Sequence, residues 1–486
     1  MGCTSIKKIS FKCTYDVKDG NEIQIINDRC FVDNREVINE EIKSKIKILN
    51  DNNKEELIFN KRFDKRGLIT IDFIIEGKLT DMSFMFLNCC SLKKIEFKYF
   101  DTSLVDNMRY LFGGCEELQY LDLTLFNTSN VKDMMHMFVE CKILKEIKGI
   151  NNFNTTNVNN MKQMFYECNN LDNLDLTNFN TSNVTDMEFM FKSCRKLKQI
   201  IGINSFDTSK VIKMKGMFEG CFELEYLDLT NFNTSNATDM SYMFKYCKKL
   251  KEIKNINNFN TANVNNFYQM FWECKELESL DLTNFDTSNI TNMTMMFYKC
   301  SKLKEIKGIN NFNTSKVTTM NSMFECCNEL ENLDLSNFNT SNVWNMAQMF
   351  YGCSKLKEIK GINNFNFSKV TKKNEMFYGC NSELENKNFP NSGTSADNNK
   401  INNNNEIKEK PIAVIFNSFD QSIHFAAIGY ESDNFTKLEA QLFNDYPELK
   451  NKDISYLFGG SIIDRNLTLK QNKIKNNSNI IINFDE

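Results

Sequence analysis

LEYLDLTNFNTSNATDMSYMFKYCKKL, residues 224–250, is the stretch on which the fold turns. Leu224-Glu-Tyr-Leu227-Asp-Leu229 is short and alternates apolar with polar, the pattern of a strand. Asn231 to Asn236 follows as a turn-rich stretch, its Asn and Ser side chains able to bond their own backbone. Met240, Met243, Phe244, Cys247 and Leu250 then recur at the spacing of one helix face. An Asn opens this segment with an acid three residues on, as in Asn130/Asp133, Asn183/Asp186 and Asn236/Asp239, which is a helix-cap pattern. The stretch predicts strand, turn, short helix.

The same unit recurs. Met-Phe-x-x-Cys or a close variant appears twelve times, its Phe running from Phe86 and Phe112 to Phe350 and Phe377 at steps of 26, 26, then 27 and 26 alternately. No single unit can bury its apolar face; stacked neighbours can. The chain therefore predicts an α/β repeat solenoid of about twelve rungs over residues 76–386. The longer rungs carry Gly149, Gly202, Gly308 and Gly361, with Asn255 in the fifth, residue types that tolerate positive φ. A β-bulge past the strand centre is expected there, with a longer loop as the alternative. Charge alternates as well: Lys198, Glu225, Lys251, Glu278 and Lys304 hold one position in successive strands. Parallel strands ~4.8 Å apart make this a register device, since a slip of one rung sets Lys on Lys. A charge-striped concave surface for a partner is the functional alternative.

Motifs such as LDLTNFNTSNVTDMEFMFKSC (residues 174–194) closely resemble the BspA-like 26-residue repeats, a branch of the leucine-rich repeats shared with mycoplasma lipoproteins and large protist families. The resemblance covers about residues 76–386 and implies a leucine-rich-repeat-like solenoid that binds proteins, often in adhesion. Phe126, Phe179 and Phe232 stand where the common leucine-rich consensus has Asn, which points to a stack of rings in place of an Asn ladder. Twelve of the 17 Cys lie one per rung on the apolar face, without zinc spacing, and read as a buried thiol column; inter-rung disulfides are the alternative.

The ends differ. Residues 1–75 do not repeat and are expected to form a β-rich cap, with strands at Ile23–Ile26, Cys30–Val32 and Leu68–Ile75. Residues 387–410 are polar and of low complexity, a flexible linker. Residues 411–486, with YLFGGSIIDRNLTLKQNKIKNNSNIIINF, are similar to ubiquitin, which implies an α+β (β-grasp) domain. The resemblance carries ubiquitin's apolar binding patch to Phe419, Leu457 and, in polar form, Asn483. Met1-Gly2-Cys3 offers Gly2 to myristate and Cys3 to palmitate.

Fifty-nine Lys+Arg against 63 Asp+Glu give a net charge of −4 and no reason to expect nucleic acid as a partner. Two histidines, His136 and His424, far apart in sequence, argue against a His-based catalytic or metal centre. No nucleophile–base pair or phosphate loop is present, and no cofactor is expected. The start MGCTSIKKISFKC lacks the apolar core of a secretory signal. The expected function is a cytoplasmic, non-enzymatic scaffold or adaptor. Its solenoid would bind a protein through Asp228, Lys254, Asp281, Lys307 and Asp334. Its ubiquitin-like tail would recruit a second factor, of the ubiquitin-receptor type if the patch functions. The alternative is a surface adhesin for host or extracellular-matrix proteins. Membrane association is expected only through lipidation of Gly2 and Cys3.

Overall fold

A computed structural model describes residues 10–18, 22–32, 35–51, 53–381, 384, 412–418, 424–446, 449, 454–458, 461–475 and 478–484. Gly2, Cys3, the linker 387–410 and Phe419 lie outside the described residues. The chain divides into two compact units, one holding the solenoid and all of the cap but Phe31–Glu36, the other holding that short segment and the carboxy-terminal sheet.

The repeat is a solenoid, but its third segment is not a helix. Between Met240 and Cys247 the chain makes two consecutive tight turns. The Met243 N–H donates to Met240 O at 3.3 Å and the Cys247 N–H to Phe244 O at 3.1 Å. The third residue of each turn is left-handed, Tyr242 and Tyr246 both at φ 61°. That is the type II turn pattern. The alternate N–H groups cross to the next rung: Tyr242 to Tyr268 O, Phe244 to Met270 O and Tyr246 to Trp272 O, at 2.9, 2.9 and 2.7 Å. Paired turns also bring a side chain inward every third or fourth residue, so Met240, Met243, Phe244, Cys247 and Leu250 are fully buried as a helix would bury them. The expected helix caps have other roles. Asn236 Nδ2 donates to Ser209 O of the preceding rung at 2.6 Å, while Asp239 Oδ1 accepts from Ser241 N at 2.7 Å and opens the first turn. Eleven parallel bridges carry this arrangement from Asp81 to Lys372.

Identical side chains form columns through the core. Phe218, Phe244 and Phe271 stack nearly parallel with centroids 5.8 and 5.5 Å apart. That exceeds the ~4.8 Å between parallel strands, so the rings are slid sideways, the offset geometry aromatic pairs prefer. A second column includes Phe232 and Phe259 at 6.4 Å. The stack of rings is therefore present, and the exposed Asn236-type amides add an Asn ladder beside it. Thr234 Oγ1, fully buried, donates to Asn260 O at 2.8 Å, and Cys247 Sγ donates to Phe218 O at 3.1 Å. These polar atoms are bonded across rungs, so the columns bury no orphaned hydroxyl or thiol at these positions.

The strands of two rungs pair in parallel without a bulge, Tyr226–Asp228 on Glu252–Lys254 for example. The inserted residue lies past the strand, at Gly149, Gly202, Asn255, Gly308 and Gly361, each with φ between 62° and 86°. A single 3₁₀ turn follows, as at Ile309–Asn311, and buries its Ile. The expected bulge is thus a left-handed residue and a longer loop, which separates one strand pair from the next: Glu146–Lys148 shares no sheet with Asn173–Asp175. At Gly308 a Cβ would come within 2.4 Å of Thr283 Cα in the rung before, so close approach as well as positive φ penalises a side chain unless the backbone shifts, as it does to admit Asn255.

The segment before the first rung is rich in strands. Five antiparallel strands lie in the order Asn53–Glu56, Ile46–Asn50, Gly67–Ile75, Ser10–Val17 and Leu92–Lys98, the last being the first rung's own strand. A short helix, Glu40–Lys45, lies in the same region. The first rung has no predecessor to bond the carbonyls of residues 81, 83, 85 and 87. The cap supplies the donors: Asn39 Nδ2 to Asp81 O and Ser83 O, Asn27 N to Met85 O, and the Gln24 and Asn27 amides to Leu87 O.

The second unit is a mixed five-stranded sheet in the order His424–Gly429, Ile412–Ser418, Ser478–Phe484, Ile454–Phe458, Ser461–Ile462. Its first and last strands in sequence pair in parallel at the centre. Helix Phe435–Asp445 contributes Phe435, Leu438 and Leu442 to a core with Val414, Phe416, Ile480 and Ile482.

Gly308→Ala should lower stability by about 2–3 kcal/mol, from the left-handed backbone and the clash. Gly308→Asn should cost less, since Asn255 fills the equivalent place. Urea-denaturation midpoints decide; a neutral Ala variant would contradict the close approach.

Candidate interaction surfaces

Residues on either side of the central strand position point outward while the central Leu or Ile is buried, as in Tyr226, Leu227 and Asp228. This brings the sequence-derived candidates onto one face. Asp228 lies opposite Lys254, Asp281 opposite Lys307, and Asp334 opposite Lys360. Lys254 Nζ reaches Asp228 at 2.9 Å. Asp281 accepts from Thr283 N at 3.1 Å, and Asp334 from Ser336 Oγ at 2.6 Å. In the adjacent column Lys251, Lys304 and Lys357 meet Glu225, Glu278 and Glu331 at 2.7, 2.7 and 2.8 Å. The alternating charges are thus joined from rung to rung within strand pairs. Where the pairs part, the face opens: Lys307 and Asp334 line a groove of about 490 Å³, and Tyr120 and Lys148 another of about 470 Å³ beside the first rungs.

The hydrogen bond from Lys251, and then its charge, holds the Glu225 carboxyl below its ordinary range, and the same bond raises Lys251. Lys304 and Lys357 lower Glu278 and Glu331 likewise. Asp228 is lowered first by its bond from Thr230, then by that from Lys254.

In the second unit Leu457 is half-buried on its strand, and Asn483 Nδ2 donates to Ser455 Oγ at 3.2 Å. The thiols are buried in the column, and burial pushes Cys247 and Cys274 well above the ordinary thiol range. Cys90 is exposed. Among the described residues no group of three or more His, Cys, Asp or Glu side chains is placed to hold a metal ion, and no helix is long and apolar enough to cross a membrane.

Another face escaped the sequence reading. The residue after each Met-Phe pair sits on the turns, away from the strand, and changes from rung to rung: Tyr166, Lys192, Glu219, Lys245, Trp272, Tyr298. Lys192 and Lys245, both buried, approach the buried Glu219 at 3.3 and 3.9 Å. Lys245 Nζ also lies 4.7 Å from the Tyr242 ring centroid and 4.6 Å from that of Trp272. Comparing one position across all rungs would have exposed this variation. Helical phasing instead drew attention to the invariant face.

A stack of rungs with shared columns and parallel bridges defines a β-solenoid repeat protein. The family described as "Mycoplasma protein of unknown function, DUF285" matches residues 80–202, 197–305 and 275–391, and the chain belongs to it. No curated protein matches the chain.

The ladder predicts a pH profile. Carboxylates lowered in the folded state contribute stability above their unfolded range, and it is lost as pH falls through the folded values; the raised lysines contribute below their ordinary range and lose it in strong base. The urea midpoint at low salt should therefore hold a plateau near neutrality and fall on the acid side. Lys251→Glu should lower the plateau, and added salt should restore part of the loss. A salt-independent effect would contradict a charge origin. In native protein a maleimide should reach Cys90, which is exposed although partial desolvation raises its thiol, and Cys247 only on unfolding, as read by peptide mass mapping.

Proposed function

We propose that this chain is a non-enzymatic interaction scaffold, acting in the cytoplasm and related to the BspA-like leucine-rich-repeat proteins. The observation that carries the reading is the separation within each rung. Leu227, Phe232, Phe244 and Cys247 are committed to columns, while Tyr226 and Asp228 stand outside them, in register with their counterparts, and can change without disturbing the core. Such a surface suits a protein partner. Chemistry is disfavoured by the placement of reactive groups: the column thiols are buried and hard to ionise, and burial holds His136 well below its ordinary range. The strand face from Asp228 to Asp334, with its groove at Lys307, is the contact we favour first.

The second unit is read as ubiquitin-like. Its strand order, second–first–fifth–third–fourth in sequence, with a parallel central pair and one helix, supports a β-grasp domain. It would recruit a second factor through the neighbourhood of Leu457.

The full chain, immobilised and incubated with extract of its source cells, should retain a protein that free chain competes away. Asp228→Lys, Asp281→Lys and Asp334→Lys together should weaken capture about tenfold. Unchanged capture would remove the strand face from the proposal; failure to retain any saturable protein would overturn the scaffold reading.

A further inference from the structure

On the turn face between Phe189 and Tyr298, ammonium groups lie against aromatic rings with unusual density. Lys192 Nζ is 4.5 Å from the Phe189 centroid, Lys215 is 5.5 Å from Tyr242, Lys245 is 4.6 Å from Trp272, and Lys248 is 4.5 Å from Phe222. Glu219 is the carboxylate in their midst. Burying ammonium groups is costly, and nothing in the stacking of rungs demands it, since the neighbouring rungs fill the same positions with Tyr166 and Tyr298. The site also holds buried polar atoms without hydrogen-bond partners: Trp272 Nε1, on the ring Lys245 faces, and Ser241 Oγ, whose residue is fully buried. Uncommitted buried donors are rare where their only task is packing.

We propose that this face docks an acidic peptide segment of a protein partner, its carboxylates accepting hydrogen bonds from the half-buried Lys215 and Lys248, above Lys245 and the Trp272 ring. The rings favour peptide over nucleic acid. Their faces are engaged by ammonium groups, which leaves little open face for stacking bases. A ring edge is positive and suits a carboxylate. Glu219, and Glu273 near Tyr246, would repel a continuous phosphate backbone, whereas a peptide can place its few acids around them. The proposal shares the scaffold reading but does not depend on the strand face.

The chain has 2 Trp, so Trp344→Phe leaves Trp272 as a single reporter in the full-length protein. Titration with a capped Glu-Glu-Phe-Glu-Glu-Phe peptide should give a saturable change in its emission. The Gln-for-Glu version should bind about tenfold more weakly. Lys248→Glu with Lys215→Glu, both half-buried, should cost about the same while circular dichroism stays unchanged. The triple strand-face reversal should leave peptide binding intact. Equal affinity for the Gln peptide, no Trp272 response, or a response only to single-stranded RNA would overturn the proposal. If the peptide fails while the chain still retains a saturable protein from extract, this inference falls alone; if nothing saturable is retained either, the scaffold reading falls with it.

Discussion

Everything in the solenoid depends on the N–H groups that cross from one rung to the next along the turns. Nineteen of the twenty-four left-handed turn positions between Phe84 and Gly379 carry a side chain, at a cost of order 1–2 kcal/mol each. A lone turn of this kind would not hold. Here every second N–H in the turns is anchored on the next rung, and the columns of Phe, Met and Cys fix what lies beneath. Strain is spread thinly and opposed at every level by a crossing bond of about 1 kcal/mol and by burial. The regular repeat is what makes the backbone affordable: it lets each rung meet a copy of itself.

This explains what was legible and what was not. Twelve copies of Met-Phe-x-x-Cys announced a stack, and the inward residues were read correctly, from Leu227 to Cys247. The positive φ at Gly308 and Asn255 was also legible, because only a few residue types enter that region. Helix and paired turns, however, send side chains inward at nearly the same intervals, so periodicity alone could not separate them. A clue stood in Gly216 and Gly220, four apart within the supposed helix and both left-handed in the structure. Asn236 misled in the same way: a cap and a rung-to-rung amide bond ask for the same residue. In the cap, strand Ser10–Val17 went unseen, since its partners Gly67–Ile75 and Leu92–Lys98 are distant in sequence.

The interaction surfaces divide along similar lines. The strand-face charges drew attention by their regularity, yet that regularity is what lets Lys251 and Glu225 meet each other. The turn face is irregular and was passed over for that reason. In a repeat protein the two properties have opposite meanings. What recurs at every rung serves the stack, and what departs from the recurrence at Lys192, Lys245 and Trp272 is free to serve something else.

The crossing bonds along the turns all run the same way, each rung donating to the one that follows it. Their peptide dipoles therefore add along the stack, as they do along a helix axis but with the opposite sense relative to the chain. The early end of this edge is a row of oxygen atoms, which is why residues 24, 27 and 39 meet it with amides and not with carboxylates. The late end is a row of hydrogens, partially positive, and any group that closes it must offer acceptors. Two such solenoids cannot close by apposing their late turn edges about a two-fold axis, because hydrogen would meet hydrogen. The stack has a direction as definite as that of a polarised rod.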